Sequence, residues 1–128
     1  MTPQALVRAR RATHLAFFVF GFVMAVFGVH VPSIRAHYGL DDAQLSLALF
    51  GVAAGAVLCL AFAGRLIAAH GHRRTCAAAA LAMCVALALL LRFEHVAALG
   101  VLVVVFGACV GLYDVAINAE GSAIETAL

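Results

Sequence analysis

The chain has 128 residues, of which 66% are hydrophobic and only 11% charged, with a formal net charge of +2. A soluble domain usually carries about 25% charged residues, so too little polar surface is available here to cover a water-exposed fold. This excludes an ordinary soluble domain, and the arginine clusters sit where membrane topology already requires them, so no nucleic-acid partner is expected.

Four long stretches lack Asp, Glu, Lys and Arg altogether: Ala12–Ile34, Ala43–Gly64, Thr75–Leu91 and His95–Tyr113. Each has about the length that a helix needs to cross a ~30 Å hydrocarbon core at 1.5 Å per residue. None shows the alternation of a barrel strand, and in lipid only helices and closed barrels satisfy their own backbone polar groups. The expectation is an all-α, polytopic membrane protein whose lipid partner is the bilayer itself.

In chain order, residues 1–12 read as a lead, at most an interfacial turn. Arg8, Arg10 and Arg11 precede the first span. With no small-residue cleavage site and three further spans to come, that span reads as a signal anchor rather than a signal peptide. Helix one is expected over about residues 13–31, with Pro32 bending or restarting the chain and Ser33–Tyr38 forming a short interfacial segment stopped by Gly39. Helix two, about residues 43–67, has a start signal in Asp41 and Gln44, which are spaced as a capping box. Gly51 and Gly55 form a GxxxG that lets another backbone approach closely. Helix three, about residues 75–91, is mostly Ala and Leu and carries no chemistry. Helix four is expected over about residues 96–120, the four-helix unit closing near residue 125 and leaving a stub at 126–128.

Arginine distribution sets the expected topology. Arg65, Arg73 and Arg74 flank the second joint, whereas the first and third hold only Arg35 and Arg92, offset by Asp41, Asp42 and Glu94. The positive-inside rule then puts the N-terminus and the second joint in the cytoplasm, and four crossings put the C-terminus there too.

Helix four holds the most informative polar residues. Gly107, Gly111, Asp114, Asn118, Gly121 and Glu125 follow steps of four and three residues, which place them along one helical face. Gly107 and Gly111 suit close packing. Asp114 and Asn118 are the candidates for a substrate or proton pathway, because an ionisable group at membrane depth is costly unless used. Polar packing between the two, or solvation at the interface, are the other readings of Asp114. Glu120 and Glu125 lie further along and read as solvated. His30 reads as an interfacial helix-end residue. His70 and His72 offer only two nitrogens, so no metal site is expected. Cys59, Cys76, Cys84 and Cys109 form no CxxC and read as packing residues. No nucleophile with a base, paired carboxylates or phosphate-binding loop is present, so neither enzymatic activity nor a cofactor is expected.

The joint after helix two, Gly64-Arg65-Leu66-Ile67-Ala68-Ala69-His70-Gly71-His72-Arg73-Arg74, resembles the loop 2–3 signature of the major facilitator superfamily, roughly G-x-L-x-D-R-x-G-R-R/K-R/K. Gly64, Leu66, Gly71, Arg73 and Arg74 match it; Ala68 and Ala69 stand where the family has an acid and an arginine, which puts its conformational latch in doubt. Val31–Arg35 with Tyr38–Asp42 is similar to the first outer loop of that superfamily. Asp114-Val115-Ala116-Ile117-Asn118 is similar to a D-V-A-x-N pattern in helix four of a fucose-permease-like branch. The resemblance implies helices one to four of a secondary-active transporter for a small solute, in a bacterial inner membrane. Family members usually have twelve helices with substrate between two halves, so a partial transporter is expected, partnered by its remainder or by a second copy. The alternatives are a self-contained four-helix exporter acting as a homodimer, which the acid-free first helix and the arginine asymmetry disfavour, and a non-transport accessory subunit.

Overall fold

The computed structural model describes residues 2–127; Met1 of the lead and residue 128 of the stub lie outside the described residues. The described chain is four helices without a strand: α1 (Pro3–Tyr38), α2 (Asp42–His70), α3 (His72–Leu89) and α4 (Val96–Thr126). All four are long and apolar enough to cross a membrane. Their outer surfaces carry exposed Phe18, Phe22, Phe50, Leu58, Phe62, Leu81 and Val101. Such a surface is insoluble in water and suited to lipid tails.

The first helix departs most from the sequence reading. It runs unbroken for 36 residues, about 54 Å, absorbing both the lead expected at residues 1–12 and the separate segment expected after Pro32. Its start is a capping signal: the Thr2 hydroxyl accepts from the Ala5 amide at 3.3 Å, and Pro3 occupies the first turn, where its missing N–H is not needed. Pro32 removes one ladder bond without ending the helix. The segment beyond it is held by packing, with Ile34, Tyr38 and Leu40 buried and the Tyr38 hydroxyl donating to the Leu90 carbonyl. Gly39 then closes the helix in the left-handed region at φ 63°.

The capping box of α2 forms, with Gln44 N–H donating to Asp41 Oδ1 at 2.8 Å and Asp41 N–H to Gln44 Oε1 at 3.1 Å. The helix extends to His70, beyond the expected residue 67. Only Gly71 separates it from α3, which starts three residues earlier than expected. Gly71 makes this one-residue joint possible by adopting φ 80° and ψ 157°, a region essentially confined to glycine. Gly71→Ala is therefore expected to destabilise the bundle by about 1–3 kcal/mol, read as a lower midpoint in detergent unfolding followed by helicity. Gly64→Ala should cost little by comparison, since a Cβ there meets nothing within 4 Å.

The fourth helix is the hub. It packs against α1, α2 and α3, while α2 and α3 touch each other more lightly. Phe106 and Met83 are fully buried, and Leu90 and Leu99 nearly so. Towards α1, Phe27 stacks on Phe106 and Phe20 on Tyr113, with ring centres 4.9 and 5.9 Å apart. The Tyr113 hydroxyl donates to the Ala16 carbonyl at 2.9 Å. At the end of the bundle holding the first and third joints, His37 Nε2 lies 2.8 Å from the Phe93 carbonyl oxygen, and Arg35 pairs with Asp42 at 2.6 Å. The opposite end gathers the start of α1, the α2–α3 joint and the end of α4, and is rich in arginine.

Candidate site on the fourth helix

The polar and small residues of α4 divide between two surfaces. Gly107 and Gly111 face α2: a Cβ on Gly107 would overlap the Val52 carbonyl, and one on Gly111 would lie 2.8 Å from the Ala56 oxygen. The contact is reciprocal. Gly55 abuts the backbone of Val104 and Ala108, and a Cβ on Gly51 would lie 2.9 Å from Val103 Cγ2. The two GxxxG segments thus interlock backbone to backbone, a geometry that only small residues permit.

One turn along, Asp114 is half-buried and Asn118 exposed. The Asn118 side-chain N–H donates to Asp114 Oδ1 at 3.0 Å and to the Asp114 carbonyl at 2.8 Å. The carboxylate is therefore held by its own helix, and neither Asp114 nor Asn118 is among the residues lining the groove or the polar cavity described below. Gly121 has turned away from this pair and sits beside Thr13 of α1, and Glu125 is exposed. The drift follows from the 3.6-residue turn, which slips about 20° per seven residues.

The largest apolar feature beside α4 was not singled out by spacing alone. A groove of about 380 Å³ runs between α1, α3 and α4, lined among others by Thr13, Ala16, Cys76, Ala80, Tyr113 and Ile117. At its arginine-rich end stand His72, Arg73 and Glu120. Glu120, read from sequence as a solvated acid, is half-buried there. A second, polar cavity of about 480 Å³ adjoins the groove, sharing Ala12, Arg73 and Glu120 and adding Arg8. The signal available in sequence was the spacing of Tyr113, Ile117 and Glu120 on one side of α4; the facing residues of α1 and α3 are distant in the chain.

Of the loop 2–3 residues, Arg73 reaches these cavities, Gly71 makes the joint, and Gly64, Leu66 and Arg74 are exposed. The four cysteines are free, and Cys84 is exposed.

Comparison with known proteins agrees with the four-helix membrane architecture. An uncharacterized MFS-type transporter of Yersinia pestis is 36% identical over 91% of this chain, but only 30% of its own length is covered. Membrane protein MosC of Rhizobium meliloti is 32% identical over 89% of the chain and 28% of its own length. An uncharacterized transporter of Sinorhizobium fredii is 26% identical over 90% of the chain, again covering 30% of the relative. The chain thus spans a little under a third of the length of these relatives. No solved structure gives a significant match. The sequence pattern of the Major Facilitator Superfamily matches residues 13–119, nearly all of the four-helix unit, and the chain belongs to that superfamily.

Proposed function

We propose that this chain supplies helices one to four of a secondary-active transporter for a small solute, of the fucose-permease-like branch, with both termini on the cytoplasmic side of a bacterial inner membrane. The observation that carries the reading is the superfamily match over residues 13–119 in a chain spanning about 30% of its relatives. The arginines gathered at one end of the bundle support the orientation. Transport by rocking halves requires the remainder of such a protein, so the four helices alone are expected to transport little. Within a complete transporter, Asp114 and Asn118 serve the solute or proton pathway. Their mutual hydrogen bond holds the carboxylate in one rotamer, and an ionisable side chain on a membrane helix is costly unless it is used.

The test is a chimera in which this chain replaces the matching third of the Yersinia pestis relative, assayed for gradient-driven uptake across a panel of labelled monosaccharides. Uptake of one solute that a protonophore abolishes is the expected result. Asp114→Asn should lower that uptake by roughly tenfold or more, or remove its pH dependence, whereas Glu125→Gln leaves it within about twofold. Unchanged transport and pH profile in Asp114→Asn would reduce Asp114 to a packing residue. A chimera that inserts and accumulates no solute of the panel counts against the solute class.

A further inference from the structure

Two joints meet at one end of the bundle, residues 39–41 between α1 and α2 and residues 90–95 between α3 and α4. The first joint holds itself. Gly39 closes α1 with its N–H on the Ala36 and Arg35 carbonyls, and the Asp41–Gln44 box opens α2. The third joint has no comparable device at either end. Helix α3 stops at Leu90 in right-handed geometry, with no cation in its last turn, and the Leu90 N–H reaches only the Leu87 carbonyl. Helix α4 starts at His95 with no side-chain cap and no acid in its first turn. Helix ends left in this way have unsatisfied carbonyls and amides.

The donors come from consecutive residues in the last turn of α1. The Tyr38 hydroxyl donates to the Leu90 carbonyl, and His37 Nε2 lies 2.8 Å from the Phe93 carbonyl oxygen. A carbonyl only accepts, so the ring proton of His37 is on Nε2. Tyr38, Leu40 and Leu90 are buried in the same core, and the His37 ring stands edge-on to Tyr38 with centres 4.8 Å apart. Further back, Pro32 removes a ladder bond, which loosens the tie between this stretch and the rest of α1. We propose that the end of α1 is a conformational relay: it imposes order on the third joint, and a displacement of the first joint passes through it to the start of α4. The two bonds are shared between the joints, but only the first joint has other caps to hold it when they break. Every donor and acceptor of the relay lies within the four helices, and its working is independent of the solute.

The test is hydrogen–deuterium exchange of the whole chain in lipid nanodiscs, read by mass spectrometry on peptides covering residues 39–46, 90–99 and 103–111. His37→Ala with Tyr38→Phe should speed exchange over residues 90–99 by roughly tenfold, for two lost hydrogen bonds. Residues 39–46 and 103–111 should stay within about twofold, since local openings differ between segments. Adding His95→Asp gives α4 a cap of its own and should recover most of the lost protection. Gly39→Val tests the transmission. A β-branched residue is an outlier at φ 63°, whereas a Cβ at this position meets nothing within 4 Å. The variant should therefore shift the end of α1 through the backbone and speed exchange over residues 90–99 by roughly threefold or more. Unchanged exchange there in either the double variant or Gly39→Val overturns the proposal. So does equal acceleration over residues 103–111, which makes the change a loosening of the whole bundle. Failure of His95→Asp to restore protection overturns it as well, because the third joint then does not depend on a supplied cap.

Discussion

Gly107→Leu is expected to separate α2 from α4 and to lower the stability of the bundle by about 3 kcal/mol. The position has no room for any Cβ: the added atom would occupy the place of the Val52 carbonyl, with the Val52 Cα 2.9 Å away. Because the obstruction is backbone, no rotamer change relieves it, and one helix must move as a whole. Gly107→Ala should already cost about 1–2 kcal/mol. The controls are Gly21→Ala and Gly28→Ala on α1, where a Cβ meets nothing within 4 Å and the better helix propensity of alanine makes the change neutral or slightly stabilising. Unfolding in mixed detergent and dodecyl sulfate micelles, followed by helicity, separates the two classes. Gly107→Leu as stable as Gly28→Ala would mean that α2 and α4 do not touch along this seam.

The second large effect belongs to Phe106→Ala. Phe106 is fully buried and stacked on Phe27, and it joins the hub helix to α1. In water such a truncation costs about 3–5 kcal/mol. Within lipid the transfer component largely vanishes, because tails are as apolar as the protein interior, and lost packing remains. The expected cost is therefore about 2 kcal/mol. Phe18→Ala and Phe22→Ala, whose rings face outward at 68% and 61% exposure, should each cost less than about 0.5 kcal/mol. Equal losses at Phe106 and Phe22 would show that ring burial inside the bundle carries no packing energy.

Helix number and order were legible in the sequence, because charge-free runs of membrane-crossing length have few other uses. The start of α2 was legible too, since a capping box is a local signal written within four residues. The extent of α1 was not read correctly, for two physical reasons. The Thr2–Pro3 start is as local as the α2 cap, but it lies before three arginines that drew the boundary inward. The continuation through Pro32 depends on Tyr38 meeting Leu90, a contact 52 residues away in sequence. The α4 face was half legible. Steps of three and four identified Gly107 and Gly111 as small residues on one side, while only the three-dimensional arrangement separates Asp114 from the groove and brings Glu120 beside Arg73 and Arg8.

The position of α4 as hub has a consequence for how the chain assembles during synthesis. The ribosome delivers α1, α2 and α3 before the helix that gives each of them its largest neighbour. Until α4 enters the bilayer, the α2–α3 hairpin is tied by its one-residue joint and a light contact, and α1 holds its phenylalanine face towards lipid. Arrival of α4 closes the glycine seam, the aromatic stacks and the Tyr113–Ala16 hydrogen bond together. Tertiary order in this unit therefore appears late, and a chain ending before Val96, where α4 begins, has three helices without the hub that joins them.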